Sequence, residues 1–177
     1  MIRPRAGDFN YSETEFEQML ASIAEVKGTG AAGVVFGVLS QDSTTLDSER
    51  MQRLIDASQP LTVVCHKAFD ETIKALDALD ELVRLGVKEV LTSGHQKTAL
   101  EGAKELAVYR NRVNNDSSLV IMAGGGVRAA NIKELINTSG VTRVHARATD
   151  PAVFKELVDE LRKLSPKPDL LMPFIKP

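Results

Sequence analysis

Short runs of apolar and β-branched residues punctuate the chain at Gly33 to Leu39, Leu61 to Val64, Glu89 to Leu91, Leu119 to Met122 and Arg143 to His145. Measured from Val34, Thr62, Val90, Val120 and Val144, they recur every 24 to 30 residues. Runs that stay apolar on successive positions suit strands covered on both faces, as in parallel sheets. Ahead of the first run, Met1-Ile2-Arg3-Pro4-Arg5 reads as the exit of a further strand, and Ala6-Gly7-Asp8-Phe9 as the polar loop after it. The pattern therefore opens where a strand ends, as though the first units of a closed object were missing.

Between the runs, polar and apolar positions take up helical spacing. Ser12 with Glu15 forms a capping box, and Tyr11 with Phe16 stands at the staple spacing; Phe16, Met19, Leu20 and Ile23 make the apolar stripe. Asp47 suits the cap of a helix carrying Met51, Leu54 and Ile55. Leu76, Leu79 and Val83 mark the next helix, which Gly86 closes. Ala99, Ala103 and Leu106 mark another, and Asn131 with Glu134 starts a short one through Leu135 and Ile136. Asp150-Pro151 is a start signal for a last helix with Leu157, Val158 and Leu161 on its apolar side. Strand and helix alternating in this way predict an α/β fold around a parallel sheet over residues 1–164. Residues 165–177 hold four of the seven prolines and read as a tail whose Leu170, Leu171, Met172, Phe174 and Ile175 dock partly on the fold.

Composition narrows the function classes. With 22 basic and 24 acidic residues the formal charge is -2, which offers no general attraction to nucleic acid or anionic lipid. No stretch is apolar for long enough to span a membrane. A single cysteine, Cys65, excludes an intrachain disulfide and fits a reducing compartment, so a cytoplasmic protein is expected.

Ligands of parallel α/β folds bind at the carboxyl ends of the strands. Four strand ends carry candidate chemistry. Gly124-Gly125-Gly126-Val127 lies between a strand and a helix, where successive backbone N–H groups can converge on an anion; a tight turn is the simpler reading. In Cys65-His66-Lys67-Ala68, strand alternation puts His66 and Ala68 on one face and Cys65 and Lys67 on the other. His66 could then act as acid or base, or be a hydrogen-bonded histidine at the mouth, while Cys65 reads as a small apolar filler. His145 and Arg147 share a face and suit an anionic substrate, unless Arg147 pairs with Asp150. Arg3 and Arg5 are in phase and could line the same cavity. The Thr92 and Ser93 hydroxyls add ligand contacts at a further exit. No Walker loop, zinc spacing or carboxylate pair stands out.

These residues resemble the CutC copper-homeostasis family. The likeness rests on Met1-Ile2-Arg3-Pro4-Arg5, Gly7-Asp8-Phe9, Tyr11-Ser12 and Gly33-Val34-Val35-Phe36-Gly37, followed by His66 and Ala68-Phe69-Asp70. Leu91-Thr92-Ser93-Gly94, Gly124-Gly125-Gly126-Val127, Asn131 and His145 complete it, in order, over residues 1 to about 148. The resemblance implies an incomplete TIM-type (β/α)8 barrel, with about six parallel strands and six helices, and a role in copper handling in the cytoplasm. It implies copper as a ligand, for which His66 and His145 are Cu(II) candidates if the fold brings them together, while the strand-end residues themselves favour a small anion. Candidate catalytic residues are His66, His145, Arg3, Lys67 and Arg147.

Departures from the family pattern matter. The region ahead of Arg3, with its first strands and the two cysteines considered for Cu(I), has no counterpart here. Lys67 stands where arginine is usual, Ala6 and His95 where glycine is, and Arg147 where serine is. Cu(I) prefers soft sulfur ligands, and one cysteine with five scattered methionines supplies no evident cluster. Three roles follow as expectations: copper handling, an enzyme acting on a phosphate- or carboxylate-bearing metabolite, or a shortened chain that self-associates or joins full-length copies.

Overall fold

The computed structural model describes residues 1–113, 119–147 and 150–164. It holds five parallel strands and six α-helices in alternation. The chain divides into two compact units. The first comprises residues 1–90, with Val113 and Leu119; the second comprises 91–112 and the described residues from Val120 onward.

In the first unit, helix α1 (Glu13–Lys27) starts as its residues dictate. The Ser12 hydroxyl accepts from the Glu15 N–H, and the Glu15 carboxylate accepts from the Ser12 N–H. Phe16, Met19 and Ile23 turn inward. Asp47 caps α2 (Ser48–Ser58) by accepting from the Arg50 N–H at 3.0 Å, and Met51, Leu54 and Ile55 are buried from it. Strand β1 (Gly33–Phe36) pairs in parallel with β2 (Thr62–Cys65), from Gly33 opposite Thr62 to Phe36 opposite Cys65. On its other side β2 meets the start of β3 (Glu89–Thr92), with Val64 opposite Glu89. Helix α3 (Ala75–Arg84) buries Ala78, Leu79 and Leu82. The expected stripe is thus rotated: Leu79 is buried, but Leu76 and Val83 face solvent, because the inward line follows the steps from Ala78 to Leu82 and from Leu79 to Leu82.

Two expectations at the strand level are corrected. The segment around Arg3 is not a sixth strand. Ile2 N–H donates to Val35 O at 2.9 Å, and Leu39 N–H donates to Phe9 O at 2.9 Å, but no ladder joins these points. A parallel ladder would next call on residue 4, and Pro4 has no N–H to give. Nor does β2 run on through Lys67: it ends at Cys65, and Lys67–Glu71 forms a 3-10 turn.

In the second unit, β4 (Val120–Gly124) and β5 (Arg143–His145) pair in parallel, with Gly124 opposite His145. Helix α4 (Ala103–Val113) leads towards β4. Helix α5 (Ala129–Ser139) begins two residues earlier than Asn131 and Glu134 suggested. Asn131 still helps to start it from inside the first turn, by accepting from Arg128 N–H at 2.9 Å. Helix α6 (Pro151–Leu164) opens on Asp150, whose carboxylate accepts from Ala152 N–H at 2.8 Å. No described helix is long and apolar enough to cross a membrane. The expected docking of the proline-rich tail lies outside the described residues.

Candidate functional site: two sets of strand ends

His66 follows directly on β2 in extended backbone and is 3% exposed. Its Nδ1 accepts from the Ala68 N–H at 3.2 Å, at the start of the 3-10 turn. In a neutral ring the proton therefore sits on Nε2, which is buried and makes no hydrogen bond. Burial, and after it the Arg3 charge, pushes the imidazole down to about 4, so the ring is neutral at pH 7. Gly37 makes room for it. A Cβ there would lie 2.8 Å from His66 Nδ1 and 2.9 Å from Ala68 Cβ.

Two more buried polar atoms without hydrogen bonds belong to the same neighbourhood: Arg3 Nε and the Tyr11 hydroxyl, the latter on a side chain 2% exposed. Phe9 links them. Its ring centroid is 4.6 Å from that of His66, and the Arg3 guanidinium stands over it at 4.6 Å. Burial raises the Tyr11 phenol, and the adjacent Arg3 opposes that rise by its charge and by its closeness to the hydroxyl. The charge of Arg3 thus acts on both Tyr11 and His66. Its own position is held through an Nη2 hydrogen bond to Gly7 O at 2.5 Å.

Arg5 does not join Arg3 in a shared lining. Its guanidinium donates to Glu15 at 2.6 Å, Asp8 at 2.7 Å and Asn10 O at 2.7 Å, and it stands over the Tyr11 ring at 5.3 Å. Arg5 holds the Asp8 carboxyl below its usual range, and the Ser12 N–H, with Arg5 after it, does the same for Glu15. The in-phase argument failed because alternation orders side chains only along a strand, and none forms there. Lys67 fails for the same reason: in the 3-10 turn it pairs with Asp70 at 3.4 Å.

The clefts of the first unit include the following two. One, of about 500 Å³, lies among Thr44, Leu46, Thr72, Ile73, Asp77 and Glu81. The other, of about 440 Å³, takes in Asn10, Tyr11, Gln41, Asp47 and Arg50. Neither is lined by Arg3 or His66.

In the second unit the strand ends are open. His145 and Arg147 are exposed, and no ion pair joins Arg147 to Asp150 among the described residues. The glycine loop has local reasons for its composition. A Cβ on Gly124 would meet Leu91 Cδ1 at 2.4 Å and His145 Cβ at 3.4 Å. Gly125 and Gly126 adopt φ of 115° and 69°, which side chains disfavour. Gly125 O accepts from Ala99 N–H, and Gly126 O from Asn131 Nδ2, both at 2.9 Å. The Thr92 and Ser93 side chains, expected to meet ligand, serve the backbone. Thr92 Oγ1 accepts from Gly94 N–H at 2.9 Å, and Ser93 Oγ donates to Gln96 O at 2.5 Å. His95, at a position where glycine was expected, adopts φ 57° and meets the Tyr109 hydroxyl at 2.9 Å through Nδ1.

The described residues do not make a copper site. Cys65 is fully buried, and burial together with the Asp70 charge pushes its thiol up to about 12, away from the thiolate that Cu(I) would need. His66 would have to move its proton from Nε2 and give up the Ala68 bond to coordinate through that atom. Among the described residues, no group of three or more His, Cys, Asp or Glu side chains could hold a metal ion.

Tyr11 and Phe9 were not singled out from sequence as site residues. Tyr11 read as a helix staple and Phe9 as part of a loop. The available signal was a phenol next to a helix start, whose ring must be buried while its hydroxyl needs a partner.

Comparison with known proteins agrees with this architecture. The CutC family matches residues 1–150. A family protein CutC of Mesorhizobium japonicum is 41% identical over 167 residues, which is 94% of this chain and 62% of that protein. Another, of Photorhabdus laumondii, is 42% identical over 149 residues, 84% of this chain and 58% of that protein. The chain thus spans about 60% of the length of the curated relatives it matches. Among solved structures, a CutC protein of Streptococcus agalactiae, assigned by name to copper homeostasis, superposes with a TM-score of 0.76. Its identity is 32%, over 81% of this chain and 69% of that one. A dihydrodipicolinate synthase superposes with a TM-score of 0.61 at 17% identity, over 89% of this chain and 59% of that one, and supports the TIM-type fold alone. Fold, motif order and sequence identity agree, and the chain belongs to the CutC family.

Proposed function

We propose that this chain contributes to copper homeostasis, the role for which its Streptococcus agalactiae relative is named, by binding a small anionic ligand and not by coordinating copper itself. The observation that carries the reading is three buried polar atoms of the first unit left without hydrogen bonds: Arg3 Nε, the Tyr11 hydroxyl and His66 Nε2. Each such atom costs on the order of 1–3 kcal/mol when unmet. A ligand offering acceptor oxygens would relieve all three. The donor set favours an anion over copper, because the cluster presents positive charge from Arg3 and the N-terminus with two neutral donors and no thiolate. The cytoplasm, where Cys65 would stay reduced, is the compartment this reading assumes.

A second reading, favoured by the Gly124–Val127 loop beside His145, is an enzyme acting on a phosphate-bearing metabolite. The loop would hold the phosphate, Arg147 would meet its charge, and His145 would move a proton.

Thermal unfolding of the full chain in the presence of small anions, set beside Cu(I) and Cu(II) titrations, tests the proposal. A ligand at a hundred times its Kd stabilises by about 2.7 kcal/mol. The expected result is a rise in Tm with an anion that is lost in Tyr11→Phe and His66→Gln and kept in His145→Ala. Weak copper binding should be the same in His66→Ala, His145→Ala and the parent. A Tm indifferent to every anion, together with tight copper binding that Cys65→Ser or His66→Ala removes, would sink the reading.

A further inference from the structure

Ile73 borders the larger cleft of the first unit, the one of about 500 Å³, and is 73% exposed. Among the described large apolar side chains only Met1 is more exposed. Its backbone is tied down, because Ile73 N–H donates at 3.0 Å to the carbonyl of Thr44, another residue of the cleft wall. Leu46, Thr72 and Ala78, all buried, complete much of that wall. The side chain of Ile73 thus stands in water beside a largely apolar hollow that it does not fill. Water leaves both surfaces if an apolar group enters the hollow. We infer that a second copy of this chain seats on this face, with Ile73 of each copy in the cleft of the other. A two-fold contact uses the same patch on both partners, so the protruding group and its receptor must lie together on one surface. They do, within residues 44–81. Leu76, three residues on and also exposed, extends the apolar area.

Charge selects a second copy over an unrelated apolar partner. Three charged residues line the cleft: Lys74, Asp77 and Glu81. Glu81 is taken up by Arg84, whose Nε donates to it at 2.8 Å. Lys74 and Asp77 meet only at 3.9 Å, with both side chains about three-quarters exposed, and a pair of that kind contributes little within one chain. Lys74 is also the N-cap residue of α3, where its side chain makes no capping bond. Its ammonium adds positive charge at the positive end of the helix, a placement that the helix alone disfavours. A two-fold axis beside Ile73 sets Lys74 of each copy against Asp77 of the other, so opposite charges meet twice around the exchanged isoleucines. This face carries a charge pattern that is its own complement.

Sedimentation velocity of the full chain, from micromolar to near-millimolar concentration, tests the inference. The expected result is a monomer–dimer equilibrium that Ile73→Asp weakens at least tenfold. Lys74→Asp should weaken it as well, and the paired exchange Lys74→Asp with Asp77→Lys should restore the dimer of the parent chain. All three side chains are exposed, and far-UV circular dichroism with the Tm of each variant establishes that it folds. If Ile73→Asp does not fold, Ile73→Ser replaces it with the same expected direction. A dimer indifferent to Ile73→Asp or Ile73→Ser overturns the inference. So does a dimer that the single charge change breaks and the paired exchange leaves broken, because the two-fold arrangement requires the restoration. A chain that stays monomeric throughout overturns it too, and a rise in the Tm of that monomer with indole would give the cleft to a small apolar ligand instead.

Discussion

At the strand ends of the first unit, His66 and Tyr11 are packed away from solvent with polar atoms unmet, whereas those of the second unit hold His145 and Arg147 in the open. The glycine loop of the second unit has its Gly125 and Gly126 carbonyls tied to Ala99 and Asn131. The cluster of the first has a histidine whose ring is braced on one side by Ala68 and whose other nitrogen faces nothing. The difference separates a motif that is conspicuous in a sequence from a site that is costly in a structure. Three glycines draw the eye, yet close packing and two left-handed backbone angles require them. A buried phenol and a neutral imidazole look ordinary on paper, yet they carry an unrelieved desolvation penalty.

The sharpest way to break this comparison is acid. His66 titrates at about 4 in the folded chain, below the ~6.5 of an unfolded histidine. Between those values the unfolded chain binds a proton that the folded chain refuses, so stability falls as the pH drops from about 6.5 towards about 4. The loss is on the order of 3 kcal/mol at the foot of that window. Urea unfolding across the range measures it, and His66→Gln should flatten the curve there. Asp8, held low by Arg5, and Glu15, held low by the Ser12 N–H and Arg5, lose their stabilising contribution as the pH falls below the ordinary carboxylate range, at the acid end of this window and beyond it. A curve unchanged by His66→Gln would contradict the buried neutral ring.

Glycine substitutions sharpen the contrast next. Gly37→Ala drives a methyl against the imidazole and should cost about 1–3 kcal/mol by overpacking, with displaced His66 ring resonances in NMR. Gly126→Ala meets Thr98 Cγ2 at an ordinary 3.4 Å, so its cost of about 1–2 kcal/mol comes from the backbone angle alone. It should leave those resonances in place. Tyr11→Phe is expected to reduce affinity for the bound anion about tenfold, in line with ~1.5 kcal/mol for a hydrogen bond to a charged group. His145→Ala should leave that affinity unchanged, and titration calorimetry compares the two. Smallest of all, Lys67→Ala removes a partly exposed pair with Asp70. A change of under ~1 kcal/mol in unfolding free energy, and none in ligand affinity, is the expected outcome.

Much of the fold was legible because its signals are local. The Ser12–Glu15 box, the Asp47 cap, the Asp150-Pro151 start and the runs that became β1 to β5 each act within a few residues, and each appears where expected. What was not legible depends on where a periodic rule stops. Alternation predicted that Lys67 would oppose His66 and that Arg5 would accompany Arg3. It applies only while a strand continues, and β2 ends at Cys65 whereas no strand forms around Arg3. Leu76 and Val83 fitted a helical stripe as well as Ala78 and Leu82 did; only packing against the sheet chose between them. Of the candidate site, His66 and Arg3 were visible as chemistry-bearing residues. Tyr11 was not, since its significance lies in an unmet hydroxyll that no spacing reveals.

The Arg5 hub has a practical corollary. One guanidinium fastens the segment that carries Arg3 and Phe9 to the front of α1, through Asp8, Asn10 and Glu15. That fastening is ionic and near the surface, so dissolved salt weakens it while leaving the apolar interior untouched. Raised ionic strength should therefore slacken the segment that carries Arg3 and Phe9 well before the protein as a whole begins to melt.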